Sequence, residues 1–184
     1  MNKTLVILGS PRKNGNSAIL GNKVIEGITA AGGTYETFYL NGMNIRPCQA
    51  CDSCKRNNLN TCVIKDDMHL LYPQLPEADS LLITSPIYMF NVSAQLKLFL
   101  DRCYAVSQAL KGKRVGVVLT YGDSDEYKSG AINAINALKD EFNYAQANLV
   151  GIVHGNALAA GEIAANTRLM EQASALGKAL HPIL

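Results

Sequence analysis

Residues 5–17 read Leu5-Val6-Ile7-Leu8-Gly9-Ser10-Pro11-Arg12-Lys13-Asn14-Gly15-Asn16-Ser17. A short apolar run ends in Gly-Ser-Pro, passes through a polar turn and opens into a helical pattern. That order is a strand, a loop and a helix start. The first backbone N–H groups of a helix have no intrahelical partner and carry partial positive charge, so such a place suits an anion. Ser10, Arg12, Asn14, Asn16 and Ser17 add side-chain donors, and Arg12 can grip a phosphate with two of them. The stretch reads as a phosphate cradle without the lysine of a nucleoside triphosphate loop. It also lacks the Gly-x-Gly-x-x-Gly of a dinucleotide site, since Gly9 is followed by Pro11 and Lys13.

Outward from this stretch the chain alternates. Apolar runs at 5–8, 81–84, 115–120 and 149–153 are short and nearly continuous, as buried parallel strands are when helices cover both faces. The segment 35–40 sets Tyr35, Thr37 and Tyr39 against Glu36, Phe38 and Leu40, which suits an edge strand. Between them, 17–30 spaces Leu20, Val24 and Ile28 as a helix stopped by Gly32-Gly33. A shorter helix is expected over 66–72, ended by Pro73 and Pro76. Ser93 can cap a helix with Leu96, Phe99, Leu100 and Cys103 inward. A helix over 129–142 aligns Ala131, Ile135, Leu138 and Phe142. Asn166 or Thr167 starts a last one with Leu169, Ala173, Leu176 and Leu180 inward. The class is α/β: a doubly wound, five-stranded parallel sheet of order 2-1-3-4-5. Ligands then bind at the carboxyl ends of the strands, between strands 1 and 3.

The balance of residues bounds the function. The chain has 184 residues, 48% hydrophobic, with net charge +2 and no tryptophan. That is enough for one domain with a full core, expected over 1–184 with an insert at 41–65. No basic block points to nucleic acid or an anionic membrane, and no apolar run approaches a signal peptide or a membrane span. A cytoplasmic protein is expected. Five cysteines in a reducing compartment do not make a disulfide framework, and four of them fall between Cys48 and Cys62.

Two further strand ends carry ligand chemistry. After strand 3, Pro86 holds a turn, Tyr88 and Phe90 supply flat apolar surface, and Asn91 supplies an amide. After strand 4, Thr120-Tyr121-Gly122-Asp123 lets backbone amides approach a ring. One anion site beside two ring-lining loops fits a phosphorylated planar cofactor.

The motifs Gly9-Ser10-Pro11-Arg12 through Asn16-Ser17, Ser85-Pro86-Ile87-Tyr88, and Gln95-Leu96-Lys97 through Asp101-Arg102 resemble the NADPH-dependent FMN reductase family of flavodoxin-like proteins. The cysteine cluster followed by Asp66-Asp67-Met68 resembles its iron–sulfur flavoprotein branch. The resemblance implies FMN as resident cofactor, with its phosphate on Ser10, Arg12, Asn16 and Ser17. Its ring would lie between Pro86, Ile87, Tyr88, Phe90 and Asn91 on one side and Thr120, Tyr121, Gly122 and Asp123 on the other. NAD(P)H is implied as transient co-substrate, a flavin, quinone, iron–sulfur centre or protein as electron acceptor, and a homodimer or homotetramer as assembly. No side chain need act as acid or base in hydride transfer. Lys97 and Asp101, four apart on a helix, read as a surface ion pair, with an oligomer contact as runner-up.

Cys48, Cys51, Cys54 and Cys62 are spaced C-x2-C-x2-C-x7-C. Three thiolates at steps of three can wrap one centre, and the longer step brings back a fourth. The first three resemble the bacterial ferredoxin run, but Val63 rather than proline follows the last. A single local [4Fe–4S] cluster is the natural reading. Zinc, which favours two separated ligand pairs, fits less well, and free thiols or a redox disulfide stay open. Lys55, Arg56 and Lys65 would offset thiolate charge. The insert would fold over the same end of the sheet as the phosphate cradle. Cys103 reads as a packing residue, and His69, His154 and His181 as structural or exposed.

Overall fold

A computed structural model describes residues 2–57 and 59–181. In chain order they form β1 (Lys3–Leu8), α1 (Asn16–Ala30), β2 (Thr34–Tyr39), the one-turn helices α2 (Ser53–Arg56), α3 (Met68–Leu71) and α4 (Gln74–Glu77), β3 (Ser80–Tyr88), β4 (Asn91–Val92), α5 (Ala94–Cys103), β5 (Arg114–Tyr121), α6 (Ala131–Tyr144), β6 (Asn148–Asn156) and α7 (Thr167–Leu180). Short 3-10 turns follow β2, α5 and β6. The parallel path runs β2-β1-β3-β5-β6. With β4 set aside, this is the expected order 2-1-3-4-5.

Alternation along each strand divides the core in two. Leu5, Ile7, Leu81, Ile83, Val115 and Val117 face α5, α6 and the one-turn helices, where Leu96, Phe99, Leu138 and Phe142 are buried. Val6, Leu82, Val118 and Val153 face α1 and α7, meeting Leu20, Val24, Ile28, Ala173 and Leu176. Each such Leu, Ile or Phe contributes about 1.5–3 kcal/mol by leaving water. On the edge strand β2, Tyr35 and Thr37 are exposed while Phe38 packs inward.

The caps foreseen at Ser93 and Asn166 are formed. Ser93 Oγ accepts from Leu96 N at 3.2 Å and Asn166 Oδ1 from Leu169 N at 3.1 Å. Such caps are worth about 1 kcal/mol each.

Two elements differ from expectation. The helix expected over 66–72 is only the single turn α3, and Pro73 and Pro76 do not end the helical run. Pro73 is the N-cap of a second turn, α4, and Pro76 lies within it. In a first turn the missing proline N–H costs nothing, because that group has no intrahelical partner anyway. The other difference is β4, a sixth strand antiparallel to β3 through Ile87–Val92 and Tyr88–Asn91. The turn between them is Met89-Phe90, both at positive φ (44° and 66°). Neither residue is a usual choice for a left-handed turn. Packing offsets the strain: a Cβ on Gly130 would come within 2.5 Å of Phe90 Cβ, so Phe90 rests directly on the glycine that starts α6.

Candidate cofactor site and cysteine cavity

The loop after β1 leaves the sheet tightly against β3. Gly9 N donates to Thr84 O at 2.9 Å, and a Cβ on Gly9 would sit 2.7 Å from that oxygen, so only glycine fits. Ser93 then ties three elements together. Its hydroxyl donates to Gly9 O at 2.6 Å while capping α5, and its N–H donates to Ser85 Oγ at 3.0 Å. The end of β1, the end of β3 and the start of α5 are thereby one rigid unit.

Within this unit α1 begins with no side-chain cap and no acid in its first turn. Ser17, its second residue, is buried, and its Oγ has no partner among the described residues. An unpaired buried hydroxyl at an uncapped helix start costs free energy unless an anion accepts from it. Ser10, also buried, accepts from Arg12 N at 3.0 Å and keeps its own proton to donate. A cavity of about 240 Å³ opens here, lined by Ser10, Arg12, Asn16, Ser17, Pro86, Ile87, Tyr88, Thr120, Tyr121 and Gly122. A second cavity, also about 240 Å³, is lined by Ile87, Phe90, Tyr121, Gly122 and Asp123, with Lys128 beyond. All three strand ends read from the sequence thus meet in adjoining spaces.

Two expected residues stand elsewhere, and a third, Asn16, lines the first cavity with its side chain already bonded. Asn14 is exposed and lines neither cavity. Asn91 lines neither; its Oδ1 accepts from Val92 N at 2.8 Å and shapes the hairpin. The Asn16 side chain, expected among the phosphate donors, is spent on protein. Its Nδ2 donates to Ala157 O (3.2 Å) and Ala159 O (2.9 Å), and its Oδ1 accepts weakly from Ile163 N. It anchors the loop after β6, whose Ala157, Leu158 and Ala160 line the first cavity. That loop offered no donor to read in the sequence; its only signal was its place at the carboxyl end of a fourth strand. Burial raises the Tyr121 phenol, with help from Glu126 and Asp125, and its hydroxyl meets His154 Nδ1 at 3.1 Å. His154 is therefore structural, as is His69, whose Nε2 meets Ile64 O at 3.0 Å.

The four clustered cysteines line a different cavity, of about 530 Å³ and mostly apolar. Cys48 and Cys51 are exposed, Cys54 is half-buried and Cys62 is buried, all as free thiols. The opposite wall is Leu100, Asp101, Cys103 and Tyr104 from the end of α5, and Glu141, Tyr144 and Ala145 from the end of α6. Leu100, Asp101 and Cys103 lie roughly 9–14 Å down α5 from its start beside the cradle. The cysteine-bearing part of the insert therefore lines neither cavity at the carboxyl ends of the strands. It lies along the α5–α6 face, and its cavity shares no residue with the other two. Ile45 and Cys62 of the insert are buried in the core on this face, Met43, Cys54 and Ile64 pack against it, and the Arg102–Asp66 pair joins the foot of the insert to α5.

Among the described residues no three His, Cys, Asp or Glu side chains converge closely enough to hold a metal ion. The four thiols are in unlike surroundings. Hydrogen bonding from Ser53 pulls the Cys51 thiol down, while burial and the neighbouring Cys62 push Cys54 up. Burial pushes Glu141 up to about 7, with Lys97 opposing and Asp101 adding. Burial also raises the Cys103 thiol well above its ordinary range, as a packing residue requires. Of the nearby cations, Lys55 stacks on Tyr104 and donates to Ser107 Oγ at 3.0 Å, and Arg56 donates to Cys51 O. Lys97 and Asp101 form the expected ion pair.

A doubly wound parallel sheet of this strand order, with cavities at the carboxyl ends of its strands, defines a flavodoxin-like fold. The chain belongs to the NADPH-dependent FMN reductase family, whose profile matches residues 2–162. An iron–sulfur flavoprotein of Archaeoglobus fulgidus is 35% identical over 121 residues, covering 65% of this chain and 54% of that one. YwqN of Bacillus subtilis, named as an NAD(P)H-dependent FMN-containing oxidoreductase, is 25% identical over 185 residues, covering 96% and 97%. Among solved structures, the NAD(P)H:quinone oxidoreductase from Methanothermobacter marburgensis shares the fold with a TM-score of 0.74, at 18% identity and 99% and 97% coverage. The chain spans about half to three-fifths of the length of the first iron–sulfur flavoproteins it matches. Among the described residues no helix is long and apolar enough to cross a membrane.

Proposed function

We propose that this protein is an FMN-dependent oxidoreductase that takes hydride from NAD(P)H and passes electrons to a flavin, quinone or iron–sulfur acceptor. The observation that carries the reading is the buried, unpartnered Ser17 hydroxyl at the uncapped start of α1, opening into a cavity walled by two ring-lining loops. Arg12, Ser10 and Ser17 hold the FMN phosphate, with the first N–H groups of α1 behind it. Pro86, Ile87 and Tyr88 line one side of the ring, with Phe90 at the outer cavity, and Thr120 to Asp123 the other. Bound FMN supplies the redox chemistry, accepting hydride and releasing electrons. The chain's part is placement: backbone amides at 121–123 face developing negative charge, and Tyr88 and Leu158 restrict water. The exposed Tyr88, Met89, Phe90 and Leu158 form an apolar rim that a second copy covers in a homodimer or homotetramer. Five cysteines without a disulfide among them support a cytoplasmic location.

A second reading has its own observation, the four thiols around one cavity. Cys48, Cys51, Cys54 and Cys62 would hold a [4Fe–4S] cluster, supplying one-electron transfer, and the protein would carry electrons between partners without using NAD(P)H. Steady-state oxidation of NADPH and NADH by anaerobic, FMN-loaded protein separates the two. Turnover above about 1 s⁻¹ with quinone or free flavin is expected. Absence of turnover with every acceptor, in protein that dithionite still reduces, would leave only the carrier.

A further inference from the structure

Among the described residues Arg102 is the largest fully buried side chain, at 1% exposure, and no cofactor loop uses it. Its guanidinium forks onto the buried carboxylate of Asp66, Nη1–Oδ2 at 2.5 Å and Nη2–Oδ1 at 3.0 Å. Nη1 also donates to Arg46 O at 2.8 Å, and Nη2 lies 3.5 Å from Ile64 O. Asp66 accepts in turn from Arg46 N at 3.0 Å and Met68 N at 3.2 Å. Next to it, Asp67 N donates to Asn44 O at 3.1 Å and Asn44 N to Asp67 Oδ2 at 2.7 Å. Arg46 Nη2 donates to Lys65 O at 3.0 Å.

These contacts have one geometry in common. Residues 44–46 and 64–67 are the two stems of a loop, and Arg102 reaches from α5 to both. All four clustered cysteines lie between the stems. A buried ion pair is a poor source of stability compared with apolar packing, so its use at one neck calls for a specific role.

We propose that Arg102 is a positioning residue for the cysteine cavity: paired with Asp66, it closes the neck of the cysteine loop and holds Cys62 inside. Its bearing on a metal centre rests on the second reading above; the closed neck does not. The test uses metal-free, FMN-loaded protein and iodoacetamide, with labelling followed by mass spectrometry. In the unsubstituted protein Cys48 and Cys51 label quickly and Cys62 slowly. In Arg102→Lys and in Asp66→Glu, which keep both charges but spoil the fork, Cys62 should label at least about tenfold faster, with FMN content unchanged. Anaerobic reconstitution with ferrous iron and sulfide should give about four irons per chain in the unsubstituted protein and less than about half of that in the variants. Unchanged Cys62 protection in both variants would overturn the proposal. So would loss of FMN alongside protection in both, which would make the pair a support of the whole fold. If the unsubstituted protein takes up no iron while Cys62 protection still depends on the pair, the neck stands and the metal reading falls.

Discussion

Replacing Ser17 with Asp should weaken FMN binding about a thousandfold while leaving the fold intact. Ser17 is the second residue of α1, buried, with no partner for its hydroxyl among the described residues. A carboxylate there would face the phosphate at about 4 Å. Two unit charges at that distance repel by about 4 kcal/mol at an effective dielectric of about 20. At about 1.4 kcal/mol per decade, that is about three orders of magnitude in affinity. The same carboxylate suits the positive start of a helix, worth about 0.3–1 kcal/mol, so it does not harm α1. Equilibrium dialysis against FMN, beside far-ultraviolet circular dichroism, checks both halves. Less than about tenfold weakening would place the phosphate elsewhere.

Replacing Gly177 with Val should lower stability by about 3 kcal/mol, at the upper end of ordinary overpacking. The helices α1 and α7 touch backbone to backbone on one face of the sheet. A Cβ on Gly177 would lie 2.1 Å from Val24 O, and one on Gly27 would lie 2.2 Å from Ser174 O. Neither neighbour is a flexible side-chain end, so the helices must part, opening space around Val24, Ile28 and Leu176. Urea unfolding followed by circular dichroism reads this directly. A loss under about 1 kcal/mol would mean that the two helices separate without cost.

Much of the architecture was legible because burial leaves plain patterns. Strands covered on both faces must be continuously apolar, and 5–8 and 115–120 are. Ser93 and Asn166 sit where a helix start needs an oxygen, and both are caps. The three strand-end loops were legible because a glycine, a proline or an aromatic stood at each carboxyl end. What stayed hidden was set by tertiary contact. The Met89-Phe90 turn contains no turn residue; it exists because Phe90 lies on Gly130. Asn16 carries the right donors for phosphate, yet the loop after β6 claims them. Most of all, Arg102 and Asp66 are 36 residues apart. Local spacing drew attention to Lys97 and Asp101, the pair that lies on the surface. A buried ion pair between a helix and a distant loop has no periodicity to betray it, so neither the pair nor the position of the cysteine cavity could be read from spacing.

The central claim is that the start of α1 holds the phosphate of a flavin. Calorimetric titration of the FMN-free protein with FMN and with riboflavin, which differ in that phosphate alone, tests it most directly. The account predicts one FMN per chain, bound at least about a hundredfold more tightly than riboflavin, with the difference abolished by Ser17→Asp. Equal affinity for FMN and riboflavin, or a preference that survives Ser17→Asp, would contradict it.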